Sequence, residues 1–186
     1  FMPVLASDYH KDAGGVYVEG SYELLMADDI RWGNLNLPEV SVDPESRRNL
    51  LFVKQAYMRL AEALVNRNQN DSAIAVLDRC QEFFPDEKIP YDLYMMAYPE
   101  IYYRAGAPEK ADELINKIVD NSLDNLRYFS ELDDKFIPYY TESIRENLAI
   151  INEMSNVAAE YNRMELSKSL ENTLEQEFDK FLGIFN

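Results

Sequence analysis

One cysteine, one histidine and one tryptophan are all that 186 residues carry of these types. The lone Cys80 excludes an internal disulfide and leaves the redox compartment open. Its place in an apolar pattern reads as a small core residue with a protonated thiol. A zinc site usually takes three or four His or Cys ligands, which His10 and Cys80 cannot supply. His10 stands beside Asp8 and Asp12 in "SDYHKDAGG", a loop-like stretch without the fold-fixed partners that nucleophilic or general-base chemistry requires.

Glycine is scarce as well, with six residues, and "AGG" and "EGS" do not make a phosphate-cradling loop. Asp8, Asp12, Asp28 and Asp29, or Asp133 and Asp134, lack the alternating oxygen-ligand spacing of a calcium loop. No metal and no cofactor is therefore expected. Cations are outnumbered, 18 Lys and Arg against 34 Asp and Glu, for a formal charge of −16. Nucleic acid and anionic membrane surfaces would be repelled over most of the molecule. No stretch longer than seven residues is free of charged side chains, so no membrane insertion is expected and the piece should be soluble. With 34 acidic residues, chance carboxylate pairs are certain, and pairing by itself does not signal glycoside chemistry.

What the chain does have is apolar content, 47% hydrophobic and 12% aromatic, ample for a packed core. Residues 1–46 hold four of the six glycines and read as an irregular N-terminal arm with one short helix near 21–31. The opening "FMPVLASDYHKDAGG" has no positively charged leader and reads as a piece of a longer chain. Residues 47–186 form the second domain, all helical. Its first helix is announced by Asp43 as cap and Pro44 as first helical residue, then apolar positions Leu50, Val53, Tyr57, Leu60, Ala61 and Leu64. Asn68, Gln69 and Asn70 should reverse the chain, Asp71 should cap a second helix with Ala73, Leu77 and Cys80 inward, and Pro85 should stop it.

The plan returns 38 residues later: Ala73 aligns with Ala111, Leu64 with Tyr102, Asn68 with Gly106 and Leu77 with Ile115. Pro99 predicts a kink or restart in the first helix of this second copy. A weaker third copy turns at Asn162, with Ser167, Leu170, Leu174 and Phe178 on its second helix. The spacing resembles tetratricopeptide repeats, in which small residues such as Ala61 and Ala73 let helix backbones approach closely. The expected fold is an all-α, tetratricopeptide-like superhelix.

The order of "GGVYVEGSYELLMADDIRWGN", "RRNLLFVKQAYMRLAEALVNRNQNDSAIAVLDRC", "IPYDLYMMAYPEIYYRAGAPEKADEL" and a helical tail resembles the soluble C-terminal region of bacterial multi-pass proteins in glycosyltransferase family 117. That family is related to protein O-mannosyltransferases. The resemblance implies that catalysis belongs to an N-terminal membrane region outside this sequence, with this domain on the extracytoplasmic, periplasmic side. No catalytic position of the family can be placed on these residues, so the domain itself is expected not to be an enzyme.

In a superhelix of this kind the first helices line the concave side, which puts Gln55, Met58, Glu62 and Asn66 beside Met96, Glu100, Tyr103 and Arg104. This thioether, aromatic and charged mixture suits a polypeptide segment or acceptor protein, and defines a non-catalytic interaction surface. Of the thirteen tyrosines, Tyr91, Tyr94, Tyr98, Tyr102 and Tyr103 cluster on one helix; Tyr98 and Tyr102 read as core, with their hydroxyls at the rim. Tyr139 and Tyr140 follow Pro138. The competing readings are a glycan-active enzyme with a carboxylate pair, and a structural domain whose groove is filled by its own "VYVEGSYELLM". Met95, Met96 and "FDKFLGIF" are apolar enough to pair two copies as a homodimer, or to cap the stack.

Overall fold

Helix signals in the sequence become seven α-helices among the described residues of a computed structural model, which describes 4–5, 15–30, 32–35, 37, 39–133 and 135–184. The helices are α1 (Val18–Leu25), α2 (Pro44–Asn66), α3 (Asn70–Phe83), α4 (Ala97–Arg104), α5 (Pro108–Ser130), α6 (Thr141–Glu160) and α7 (Met164–Phe181). Among the described residues the chain is all-α apart from two short antiparallel strands, β1 (Val4–Leu5) and β2 (Gly15–Val16). No described helix is long and apolar enough to cross a membrane. The chain divides into two compact units, residues 1–90 with 100–108, and residues 91–99 with 109–186.

In the first unit α2 starts where the sequence says it should. Asp43 is its N-cap, accepting from the N–H groups of Glu45 and Ser46 at 3.0 Å each, and Pro44 opens the helix. The Ser46 hydroxyl and backbone bonds to Asp43 hold that carboxyl below the usual aspartate range. Leu60, Ala61 and Leu64 of α2 and Ala73, Val76 and Leu77 of α3 are all buried, and the two helices pack on each other.

Short helix α1 begins earlier than the glycine-rich composition suggested and ends at Leu25, not near 31. The described part of the N-terminal segment is tied to the α2–α3 pair mostly through its own backbone carbonyls. Tyr57 Oη donates to Leu25 O at 3.0 Å, Arg79 Nη2 to Ala27 O at 3.1 Å and Lys88 Nζ to Val40 O at 2.7 Å. Arg67 also pairs with Glu19 at 2.7 Å. Trp32 meets Phe84 edge to face, with centroids 5.5 Å apart, and Tyr57 meets the other side of the cluster at 6.3 Å from Phe84.

Burial pushes the Tyr57 phenol up from 10.0 to about 12, with the neighbouring Trp32 side chain pulling the other way. A folded pKa above the unfolded one means that the neutral phenol contributes fully below pH 10, and that this contribution is lost as pH rises toward about 12. Tyr57→Phe is therefore expected to cost about 1 kcal/mol at neutral pH through the lost bond to Leu25 O. It should also flatten the alkaline limb of stability, measured by urea midpoints between neutrality and about pH 12. An unchanged alkaline slope would show that Tyr57 ionises as freely folded as unfolded.

Three helix ends share one turn. After α2, Gln69 N–H reaches Leu64 O at 2.9 Å and Asn68 N–H reaches Val65 O at 2.9 Å, with Asn68 at φ 59. After α4 the same bonds run from Ala107 to Tyr102 and from Gly106 to Tyr103, with Gly106 at φ 83. After α6 they run from Arg163 to Ala158 and from Asn162 to Ala159, with Asn162 at φ 62. Each is the six-to-one, five-to-two closure of a left-handed helix stop, which Gly and Asn tolerate best. The turn is so short that α3 resumes at Asn70. Asp71 thus lies inside the first turn of α3, where it favours the helix dipole but is not the expected cap.

The second unit centres on α5, α6 and α7. Pro99 falls in the first turn of α4, after a short 3₁₀ turn at Leu93–Met95, so the chain restarts there instead of kinking. Helix α5 buries Ala111, Leu114, Ile115, Ile118, Val119, Ser122, Leu126 and Phe129, one stripe at steps of three and four. Asn121 fixes the incoming strand-like run by donating to Tyr91 O at 3.0 Å. Helices α6 and α7 lie close where small residues meet: Ser155 Oγ donates to Ser167 O at 3.0 Å, beside fully buried Ala158. Arg163 grips both carboxylate oxygens of Asp112, which fastens the α6–α7 turn to α5. All four residues expected on this helix lie on α7: Ser167 and Leu170 are buried, Leu174 half-buried and Phe178 exposed.

Candidate interaction surface

Helix α2 offers Gln55, Met58, Glu62 and Asn66 at steps of three and four, so the four share one face about 80° wide. Asn66 is exposed and the other three are half-buried. Beside this face lie residues 100–104 of α4. Arg104 Nη2 donates to Asn66 Oδ1 at 2.5 Å, and the same guanidinium lies 3.6 Å from Glu100 Oε1. On its other side α4 is held to α3, because Tyr102 Oη donates to Asp78 Oδ1 at 2.8 Å and accepts from Gln81 Nε2 at 2.6 Å.

The eight expected residues thus divide. Gln55, Met58, Glu62, Asn66, Glu100 and Arg104 make a polar strip within the first unit. Tyr103 is only 9% exposed, the same as Val65, and contributes to packing more than to a surface. Val65 precedes Tyr103 by the 38 residues that separate Asn66 from Arg104, so the sequence register already paired Tyr103 with an apolar core position. Met96 is half-buried and belongs to the second unit. Tyr98 and Tyr102 are fully buried, as expected of core residues.

Electrostatically the strip combines two carboxylates, two carboxamides, one guanidinium and a thioether. It contains no thiol, imidazole or hydroxyl nucleophile, and Arg104 is engaged by Asn66 and Glu100. Such a set can accept and donate hydrogen bonds to a polypeptide backbone and pair with charged side chains.

Two anchors of the described N-terminal segment lie elsewhere on α2. Tyr57 and Arg67, which bind Leu25 and Glu19, each sit about 140° around α2 from Glu62. His10, Asp8, Asp12 and Asp134 lie outside the described residues. Asp28 lies 3.9 Å from Arg79, and Asp133 is paired with Lys135 at 3.2 Å. Among the described residues no group of three or more His, Cys, Asp or Glu is placed to hold a metal ion. Cys80 is buried.

A cavity of about 350 Å³ in the second unit is lined by Asp112, Asn162, Arg163, Met164, Glu165 and Leu166. Two carboxylates, Asp112 and Glu165, stand in its lining, but Asp112 gives both oxygens to Arg163 as a structural clamp. No family model matches the chain, and no curated protein or solved structure matches it either.

Proposed function

We propose that the domain is a non-catalytic, tetratricopeptide-like scaffold that binds an extended polypeptide along the α2–α4 strip. The observation that carries this is the Asn66–Arg104 hydrogen bond. It joins residues 38 positions apart, the period of the sequence repeat, so equivalent points on two successive first helices stand side by side. The shared turn geometry at Asn68, Gly106 and Asn162 supports the same repeat reading.

A preformed strip on rigid helices binds without a large ordering cost, which suits recognition of a flexible chain. In the setting implied by the resemblance to glycosyltransferase family 117, the domain would sit on the extracytoplasmic side and hold acceptor protein near a membrane-borne active site. Leu25 and Glu19 of the arm are anchored at Tyr57 and Arg67, on another side of α2 from Glu62.

Site-specific photo-crosslinking tests this. A crosslinker at Gln55 should capture defined polypeptides, with at least a fivefold loss on Arg104→Glu, while one at exposed Glu153 on α6 should not. Equal labelling from both positions, or no effect of Arg104→Glu, would remove the strip as the recognition surface.

A further inference from the structure

We infer that the segment from Val18 to Ile30 is an exchangeable ligand of the α2–α3 face, and that the partner this face takes is a second copy of the chain offering the same segment. This face is separate from the α2–α4 strip. In the closed chain the segment is seated as a bound peptide would be. Two side chains on α2 and α3 reach its main chain: Tyr57 Oη donates to Leu25 O at 3.0 Å and Arg79 Nη2 to Ala27 O at 3.1 Å. Leu25 O is one of the carbonyls that the end of α1 leaves without a helical partner, and Tyr57 supplies its donor. Donors of this kind read a carbonyl in the same way whether it belongs to their own chain or to another.

Charge selects this occupant. Residues 18–30 carry Glu19, Glu23, Asp28 and Asp29 and no lysine or arginine. The face answers with Arg67, 2.7 Å from Glu19, and Arg79, 3.9 Å from Asp28. In a chain of net charge −16, two guanidinium groups thus meet an acidic segment that most of the remaining surface would repel. Apolar contacts complete the match. Val18 and Leu25 are buried on the segment's side, and Tyr57 and Phe84 are fully buried on the receiving side. Release of the segment would open those two rings to water, so a vacant face favours any copy that can cover them.

Three features loosen the attachment. Helix α1 has eight residues, too few to persist alone, so a released segment is a flexible chain that reorders on whichever face it meets. Ser21 is fully buried, and among the described residues its Oγ has no hydrogen-bond partner, so docking desolvates a hydroxyl without return. The connection toward α2 turns at Gly33 and Asn34, adjacent left-handed residues at φ 70 and 57 that an extended connection would relax. Exchange of the segment between two copies recreates the contacts of the closed chain and gives a closed two-fold pair, a low-cost route to a dimer.

The test mixes two charge-reversal variants of the intact chain, Glu19→Arg and Arg67→Glu. Each alone sets like charges against each other in its own closed form, whereas exchange between the two restores opposite charges at both junctions. The mixture, held concentrated in moderate urea and returned to buffer, should give a heterodimer about fivefold above its statistical share on native mass spectrometry. Glu153→Arg, a reversal on exposed α6, should pair with Arg67→Glu at the statistical share only. Gly33→Val disfavours the closed turn and should raise the dimer fraction about fivefold, with circular dichroism checking that the helices are retained. No dimer from any of these chains, a heterodimer at its statistical share, the same excess with Glu153→Arg, or an unchanged dimer fraction in Gly33→Val would each overturn the assignment.

Discussion

Replacing Phe84 by alanine is expected to destabilise the first unit by about 3–5 kcal/mol, the range for emptying a buried aromatic site. Phe84 is fully buried at the end of α3, where Trp32, Tyr57 and Phe83 all pack on it, with centroids 5.5, 6.3 and 6.4 Å away. Transfer of the ring from water contributes about 1.5–3 kcal/mol, and each edge-to-face contact adds about 0.5–1.5 kcal/mol. The cavity cannot collapse easily, because Tyr57 is anchored to Leu25 O and Trp32 belongs to the segment that covers the site.

The chain has one tryptophan, so Trp32 fluorescence in a urea titration reports this unit directly, with helical circular dichroism as the second probe. Phe84→Leu should retain more than half of the stability lost by the alanine variant, since it keeps most of the apolar volume. A loss below about 1 kcal/mol in Phe84→Ala would mean that the N-terminal segment is not held by this cluster.

Lys54→Ala is expected to cost about 3 kcal/mol in the same unit, a large effect for a residue that sequence rules place at the surface. Lys54 is 1% exposed, and its ammonium donates to Ile89 O at 3.2 Å, where the chain leaves α3. Alanine removes the packed aliphatic stem and leaves the Ile89 carbonyl short of a donor. Two effects oppose each other here. Burying a charge is costly, so an apolar replacement of similar length relieves part of the penalty. Lys54→Met should therefore lose less than Lys54→Ala, because it keeps the packed stem. If both variants unfold at the wild-type urea concentration, or at a higher one, Lys54 does not fasten the Ile89 connection.

The local plan of the helices was legible because it depends on neighbours in sequence. Asp43 and Pro44 start α2, and Asn68, Gly106 and Asn162 stop α2, α4 and α6, each by a conformational preference that acts within a few residues. Asp71 failed as a cap for a related reason. The turn before α3 closes through backbone hydrogen bonds alone, and α3 resumes before Asp71 is reached. The start of α1 at Val18 was hidden because glycine-rich composition argued against a helix that packing on α2 sustains.

The candidate strip was partly readable. Periodicity put Gln55, Met58, Glu62 and Asn66 on one face, and the 38-residue register brought Arg104 to Asn66. The same register held the signal that Tyr103 stands at the core position of Val65, outweighed there by the tyrosine's polar tip.

By itself, the sequence determined an all-α chain, the ends of most of its helices, an anionic surface and the absence of a sequence signature for metal or phosphate chemistry. These follow from local backbone preferences, periodicity and charge, which need no knowledge of distant residues. Tertiary structure alone decided that Lys54 is buried on Ile89, that Arg163 clamps Asp112, and that Phe129 packs on Tyr140 while Tyr128, Phe136 and Tyr139 stand exposed. Each of those depends on which surfaces meet across a gap in sequence, and a hydrophobic or charged side chain carries no local mark of whether a partner will cover it.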